Sequence, residues 1–236
     1  MTESELKLWK EHQREKKMHL KRIRMPKNWP LARKENKFVI RGVGPHITEF
    51  SIPLTILLRD VLKQVNTSNE AKKIIKGGMV IVNNGEIKNE KFSVGLFDRI
   101  YIKKLDKAFS LYLTKNGLVI HDIPKEKLSN KPCSVIGKKI LKKNKLQLNL
   151  YGGLNIITDK KINVRDTVMV DLKDKKIADH LKLAKGSYAL ITAGNNKGET
   201  GRIESVGELV SLNVKDKKIN VAKNNVFVIE ENEYPK

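Results

Sequence analysis

The sequence predicts a multi-domain α+β protein that is mostly β, and three observations lead to this class. Its 236 residues suffice for two or three small domains. Only 6% of them are aromatic, which favours several small aliphatic cores over one large core. Beyond residue 104, apolar runs of about five residues alternate with glycine, asparagine and aspartate, as is typical of β-strands joined by turns.

The charge of the chain indicates a polyanionic partner. It carries 48 Lys and Arg against 26 Asp and Glu, a formal net charge of +22. The excess is +8 over residues 1–41 and +10 over residues 104–184, but only +3 over 42–103 and +1 over 185–236. Five of the nine arginines lie in the first 41 residues, and a guanidinium binds phosphate through a bidentate fork.

Residues 1–42 are predicted to form a basic N-terminal arm. From Lys16 to Lys37 it holds nine basic residues and one acidic residue, and Pro26 and Pro30 interrupt any long helix. With so little apolar sequence, we expect the arm to become ordered only against a partner, and its deletion to leave the body folded. Trp29 either anchors the arm on the body, which we favour, or stacks on a base. The candidate RNA contacts of the arm are Lys16, Lys17, His19, Lys21, Arg22, Arg24, Lys27, Arg33 and Lys34.

Residues 43–103 are predicted to form a compact module with two short helices. After Pro53, apolar residues are spaced i, i+3, i+4, i+7, i+8 and i+11, which is one face of an amphipathic helix. These residues are Leu54, Leu57, Leu58, Val61, Leu62 and Val65. Thr67 and Glu70 have the spacing of a capping box, so a second helix is predicted to begin after Thr67 and to end at Gly77.

A β-hairpin follows the second helix. Met79–Val82 and Glu86–Lys88 are predicted as strands, with Asn84 and Gly85 in the tight turn between them. On both helices, basic residues three or four positions apart share an outer face, which is typical of a phosphate-binding surface or of a solvated helix. The candidate RNA contacts of the module are Arg59, Lys63, Lys72, Lys73 and Lys76.

Residues 104–183 are predicted to form a central β domain and residues 184–236 a final β unit. The central strands are expected at Phe109–Leu113, Leu118–His121, Leu146–Leu150, Leu154–Ile157 and Val168–Leu172. The final strands are expected at Tyr188–Thr192, Ile203–Val206, Ser211–Val214 and Val226–Glu230. A lysine cluster without acidic residues makes Lys138 and Lys139 candidate RNA contacts. Lys197 and Arg202, in a glycine-rich loop, are the candidates of the final unit.

Several function classes are disfavoured by the sequence. The loop from Gly194 to Arg202 is not a nucleotide-binding P-loop, because three residues rather than four separate Gly194 from Gly198 and a strand follows it. Five scattered histidines and the single Cys133 have no metal-binding spacing, and one cysteine excludes an internal disulfide and fits a reducing compartment. No apolar run approaches the ~18 residues that cross a bilayer, and no signal peptide is evident. We expect no catalysis, cofactor, metal, membrane partner or small-molecule substrate.

The order of several motifs resembles a known family. The segments that are similar to the opening of the small-subunit ribosomal protein S-four-E family of archaea and eukaryotes are His19-Leu20-Lys21-Arg22, Trp29-Pro30, Gly44-Pro45-His46 and Ser51-Ile52-Pro53-Leu54. Leu58–Leu62 and Ala71–Ile75 look like the S-four RNA-binding module embedded in that family. Gly194–Gly201 looks like a KOW motif, which the family carries on a small Src-homology-3-like barrel.

The resemblance implies a structural constituent of the small ribosomal subunit, located in the cytoplasm. It implies that the chain binds and braces small-subunit ribosomal RNA and contacts neighbouring small-subunit ribosomal proteins. The alternative is a KOW-bearing transcription or RNA-processing factor, which would explain the final unit but not the arm or the module. The final unit, with a charge of +1, contacts either RNA through its loop or a neighbouring protein, and the sequence favours neither.

Overall fold

The computed structural model describes residues 19–141, 145–214 and 217–234, and the predicted mostly β, α+β class is confirmed. The strands are β1 Leu20–Lys21, β2 Phe38–Val39, β3 Ser51–Pro53, β4 Val80–Val82, β5 Gly85–Glu86, β6 Ser93–Gly95, β7 Arg99–Ile102, β8 Lys107–Thr114, β9 Gly117–Ile123, β10 Asn130–Ile140, β11 Leu146–Leu150, β12 Asn155–Thr158, β13 Thr167–Asp171, β14 Lys176–Leu181, β15 Tyr188–Ile191, β16 Thr200–Val206, β17 Leu209–Val214, β18 Lys217–Ala222 and β19 Val226–Val228. The helices are α1 Leu54–Ile56, which continues as a π-helical turn over Leu57–Val61, and α2 Ser68–Lys76. Short 3-10 turns lie at Arg22–Arg24, Thr48–Phe50, Lys125–Leu128, Lys223–Asn225 and Glu231–Glu233.

Helix α1 is shorter and more completely buried than its pattern predicts. The apolar pattern extends to Val65, but the helical turns end at Val61 and Lys63 adopts a φ of 51°. Thr55 and Ile56, which lie off the predicted apolar face, are also fully buried. The segment is therefore a core element rather than an amphipathic surface helix, and the loop after it continues to cover the core.

The capping box that predicts helix α2 is confirmed. Thr67 Oγ1 accepts a hydrogen bond from Glu70 N at 3.2 Å, and Glu70 Oε2 accepts one from Thr67 N at 3.4 Å. Glu70 Oε2 also accepts from Asn66 N at 3.0 Å, and the backbone bonds from Asn66 and Thr67 lower the pKa of the Glu70 carboxyl. The helix ends at Gly77, as predicted, and Gly78 has a φ of 68°.

The hairpin of β4 and β5 turns one residue earlier than the sequence predicts. Its closing pair is Val82 with Gly85, so the turn consists of Asn83 and Asn84, with φ values of 50° and 65°. Asparagine tolerates this left-handed region better than most residues. The Asn83 amide also donates to Asp98 Oδ1 at 2.8 Å. This tertiary bond, which the local sequence does not reveal, helps to set the register.

The first five-stranded sheet has the order β5-β4-β7-β8-β9 and crosses a predicted domain boundary. Strand β7 pairs with β8 from Arg99↔Ser110 to Ile102↔Lys107, across the predicted bound between residues 103 and 104. Strand β8 is buried over six consecutive residues, and its apolar side chains lie in the same core as helices α1 and α2. The hairpin of β8 and β9 is therefore packed as part of the module. Strands β3 and β6 form a separate antiparallel pair beside it.

Two further five-stranded sheets follow along the chain. The second has the order β12-β11-β10-β13-β14 and the third the order β18-β17-β16-β15-β19. All nine strands predicted beyond residue 104 are confirmed, with bounds that differ by up to a few residues. Strands β10, β14 and β18 are not predicted by the sequence pattern, because lysines, and Pro132 in β10, interrupt their apolar runs.

The arm is folded against the body over residues 19–41, so the prediction that it orders only against a partner is wrong. Met25 and Trp29 are 3% and 4% exposed, and they belong to the same core as Leu190 and Phe227 from the third sheet. The arm needs little apolar sequence of its own because distant elements supply the rest of this core. Its removal is therefore expected to open the core rather than leave the body intact.

Candidate nucleic-acid interface

Two consecutive residues anchor the arm. Trp29 Nε1 donates to Thr48 O at 3.2 Å, and Asn28 Nδ2 donates to Glu49 O at 3.0 Å. Asn28 O accepts from Leu118 N at 2.7 Å, which joins the arm to strand β9. The anchoring role that the sequence favours for Trp29 is confirmed.

The candidate cations of the arm fall into two groups. Arg22 is 4% exposed and donates to Glu35 Oε2 at 2.9 Å, while Arg33 donates to the backbone oxygens of Ile23 and Met25 at 3.2 and 3.1 Å. These two arginines brace the arm itself. The exposed group consists of His19, Lys21, Arg24, Lys27 and Lys34. Lys16 and Lys17 lie outside the described residues.

The cations predicted on the helices of the module are only partly available. Arg59 donates to both carboxylate oxygens of Asp60, at 3.1 and 2.8 Å, and to Ser68 Oγ at 2.6 Å. Lys72 Nζ lies 3.3 Å from a carboxylate oxygen of Glu90. The exposed cations of the module are Lys63, Lys73 and Lys76. Lys73 and Lys76 lie in the last turn of α2, where helix carbonyls favour positive charge.

Lys138 and Lys139 lie in the second half of β10 and are exposed. Because side chains alternate along a strand, the two ammonium groups lie on opposite faces of the second sheet. Lys139 stands across from Gln147, and Gln147 stands across from Ile157, so the face of Lys139 is mixed polar and apolar. The predicted lysine cluster is thus divided between two faces, at least for the lysines that the structure describes.

The glycine-rich loop of the third sheet contacts the rest of the protein. Lys197 Nζ donates to Asn28 Oδ1 in the arm, and Arg202 Nη2 lies 2.9 Å from Glu231 Oε2 at the surface. Gly198 has a φ of 79°, and a Cβ there would lie 2.1 Å from the backbone carbon of Thr114. The loop therefore packs against the arm and against the end of β8.

A buried ionic cluster joins three parts of the chain, and the sequence does not predict it. Asp98 Oδ1 accepts a hydrogen bond from Lys131 Nζ, and Asp98 Oδ2 accepts one from Gly95 N at 2.7 Å. His46 Nε2 lies 2.9 Å from the same Oδ2. The side chains of Asp98 and Lys131 are fully buried. Burial alone would raise the pKa of the Asp98 carboxyl, but Lys131 and His46 hold that pKa well below its usual range. The Asp98 charge likewise raises the pKa of Lys131 against the effect of burial.

A second buried pair attaches the end of the described chain. Arg99 Nη2 bonds Glu233 Oε1, and Arg99 Nε donates to Asn130 O at 2.8 Å. The Tyr234 hydroxyl donates to Leu113 O. The segment after β19 is thus docked on the first sheet through Glu233 and Tyr234, while Glu230 and Glu231 are exposed.

Other chemistry has little support in the part of the chain that the structure describes. Cys133 is fully buried, and burial raises the pKa of its thiol to about 11, so it acts as a small buried hydrophobe. No group of three or more His, Cys, Asp or Glu side chains among the described residues could hold a metal ion. None of the described helices is long and apolar enough to span a membrane.

Comparisons with known proteins agree on one family. The model of ribosomal family S4e matches residues 106–177, and the RS4NT (NUC023) domain matches residues 14–49. The small ribosomal subunit protein eS4 of Methanothermobacter thermautotrophicus is 36% identical over 80% of this chain and 78% of its own length. That of Archaeoglobus fulgidus is 34% identical over 90% and 93%. The crystal structure of the 30S ribosomal protein S4e from Thermoplasma acidophilum matches with a TM-score of 0.67 and 31% identity, over 78% of this chain and 97% of that chain.

A basic chain with many exposed lysines and arginines is typical of nucleic-acid-binding proteins, and the comparisons place this chain among ribosomal proteins. More narrowly, the chain belongs to ribosomal protein family S4e. The resemblance stated from the sequence motifs is therefore confirmed at the level of the family.

Proposed function

We propose that the chain binds and braces small-subunit ribosomal RNA through cations that its own carboxylates leave exposed. As a member of family S4e it is a structural constituent of the small ribosomal subunit, located in the ribosome and so in the cytoplasm. This membership favours the ribosomal role over a KOW-bearing transcription or RNA-processing factor. We assign no catalytic role and no cofactor to it.

The observation that carries the RNA-binding proposal is the division of the cations into two sets. One set consists of arginines that donate hydrogen bonds to acceptors within the chain itself, namely Arg22, Arg33 and Arg59. The set left for RNA comprises His19, Lys21, Arg24, Lys27, Lys34, Lys63, Lys73, Lys76, Lys138 and Lys139. Phosphates supply affinity for such a set, and shape supplies specificity, because double-stranded RNA hides its base edges in a deep groove.

The third sheet is, in this proposal, the KOW-bearing Src-homology-3-like barrel, and it docks on a neighbouring small-subunit protein rather than on RNA. Its region carries a net charge of only +1. Lys197 and Arg202, its candidate RNA contacts, already bond Asn28 and Glu231. Crosslinking of assembled subunits tests this assignment: adducts from Lys197 to RNA would contradict it, and adducts from this sheet to proteins are expected.

Salt dependence tests the RNA proposal directly. Each neutralised phosphate contributes about 0.7 to 0.9 to the slope of log K against log salt concentration, so several contacts give a steep slope on transcribed small-subunit ribosomal RNA. Changing Arg24, Lys27 and Lys34 to Gln should lower both affinity and slope. The matched control changes Lys173, Lys175 and Lys176 to Gln, because these lysines are exposed on the β13–β14 hairpin outside the proposed surface. A flat salt plot for the wild type, or equal losses in both variants, would contradict the proposal.

A further inference from the structure

The two-stranded ribbon of β1 and β2 presents an aromatic ring to solvent. Phe38 is 46% exposed, whereas every other Phe, Tyr and Trp that the structure describes is buried or half-buried. Lys21 stands directly across from Phe38 in the ribbon, so the two side chains share a face. A partner that covers this ring would gain free energy, because burial of apolar surface is favourable.

The surroundings of this ring are cationic. Lys37 Nζ lies 5.5 Å from the centroid of the Phe38 ring, and the His19 ring lies 5.5 Å away at a tilt of 53°. The ring also lines a surface groove of about 1180 Å³, to which Lys91 contributes a further exposed cation. None of the groove-lining side chains, all within the described residues, carries a carboxylate. The groove therefore combines an aromatic surface with positive charge.

We propose that the Phe38 ring, with His19 beside it, is a stacking platform for an unpaired nucleobase of RNA, whose phosphates lie at Lys37 and Lys91. This inference rests on the proposed function and narrows it to single-stranded RNA at one surface. Unpaired bases stack on aromatic side chains, and a positive groove follows the backbone that carries them. A duplex keeps its bases stacked on each other and has no exposed base face for the ring.

The charge of the groove favours RNA over an apolar protein segment. An apolar partner would cover Phe38 but would also remove water from the ammonium group of Lys37 without giving it a new partner, which is unfavourable. A nucleotide offers both a flat ring for Phe38 and an anionic oxygen for the cations. Docking of a protein side chain is therefore the competing outcome of the test.

The test compares a short single-stranded oligouridylate with a short RNA duplex, by fluorescence anisotropy on the full chain. Phe38→Leu keeps an apolar side chain but removes the aromatic face. We expect it to weaken binding of the single strand about 5- to 150-fold, the value of stacking one base, and to leave duplex binding unchanged. Phe38→Tyr keeps an aromatic face and should bind the single strand as tightly as the wild type does. The matched control Leu209→Ala removes an apolar side chain that is 51% exposed on the third sheet, away from the proposed RNA surface, and should change neither affinity.

The outcomes separate this inference from the proposed function. If the wild type binds neither probe, the proposed function of RNA binding is wrong, and the proposed stacking platform is wrong as well. If the wild type binds both probes and Phe38→Leu loses neither or loses both equally, only the platform is wrong, and a protein partner is favoured. Should Phe38→Leu not fold, ultraviolet crosslinking of the wild type to oligouridylate decides: an adduct on the peptide of Phe38 is expected, and its absence overturns the inference.

Discussion

The arm and the third sheet pack on the same core but use their cations in opposite ways. In the arm, Asn28 and Trp29 do the anchoring, so Arg24 and Lys27 stay exposed. In the third sheet, the candidate cation Lys197 is itself an anchor, since it bonds Asn28. Regional net charge indicates where a polyanion binds, but the contacts of each side chain decide which cations remain for it.

A substitution in the buried ionic cluster gives the strongest test of this comparison, because the charges of that cluster only stabilise the fold and do not contact RNA. Asp98→Ala leaves Lys131 buried without its carboxylate, and loss of one member of a buried ion pair costs about 3 to 5 kcal/mol. We expect the free energy of unfolding to fall by that amount in urea titrations followed by circular dichroism. Glu231→Ala, which removes a surface partner of Arg202, is the control and should stay within about 0.5 kcal/mol of wild type. Equal effects of the two changes would contradict the distinction.

Trp29 tests whether the arm is part of the core. Trp29→Ala should lower the free energy of unfolding by about 3 kcal/mol or more, because it removes a buried ring and leaves a cavity. Ile23→Ala, at an arm side chain that is 71% exposed, is the matched control and should have little effect. Thermal melting followed by circular dichroism measures both. A Trp29 variant that melts like wild type would restore the earlier expectation that the arm contributes no core.

Acid titration sharpens the role of the Asp98 charge. The folded-state pKa of Asp98 lies below its ordinary value of 3.8, so the ionised carboxylate stabilises the fold at every pH above that value. This contribution is lost as the pH falls below about 4 and through the lowered folded-state pKa. Asp98→Asn cannot titrate, so its urea midpoint should fall less steeply with acid than that of wild type. The exposed Asp122→Asn should keep the wild-type slope, and an unchanged acid limb in Asp98→Asn would reject this role.

Neutralising surface cations should have the smallest effect on stability and a selective effect on RNA. Lys73→Gln with Lys76→Gln should reduce the slope of log K against log salt concentration by about 1.4 to 1.8 and change the unfolding free energy by no more than about 0.5 kcal/mol. The same charge change at Lys197 and Arg202 should leave the slope near that of wild type, because both side chains have internal partners. A larger slope change for the Lys197 and Arg202 variant than for the Lys73 and Lys76 variant would contradict this prediction.

Features that depend on neighbouring residues are the ones that the sequence predicted well. The capping box of Thr67 and Glu70 is local, and so is the end of helix α2 at Gly77. The turn of the β4–β5 hairpin was placed one residue late because Asn83 is held by Asp98, which lies 15 residues away in the chain. Strand β10 was missed because Pro132 and the lysine pair break its apolar pattern while its neighbours β11 and β13 supply the pairing.

The candidate interface was predictable as a set of basic residues but not as a set of available ones. Arg22 and Arg24 are both candidate cations of the same arm, yet Arg22 is buried beside Glu35 and Arg24 is exposed. The burial of Asp98 with Lys131 joins residues 33 positions apart, and no spacing rule connects them. Side-chain partners arise from tertiary structure, so a count of charges overestimates the surface left for RNA.

The docked end of the chain has a consequence for synthesis. Phe227, Ile229 and Tyr234 complete the core that Met25 and Trp29 begin, so this core cannot close until nearly the whole chain has left the ribosome that makes it. Domains usually fold one after another from the N-terminus during translation. Until then, the apolar side chains of the arm stay exposed to solvent, where a chaperone can bind them or the chain can aggregate. Closure of this core therefore follows the release of residues 227–234.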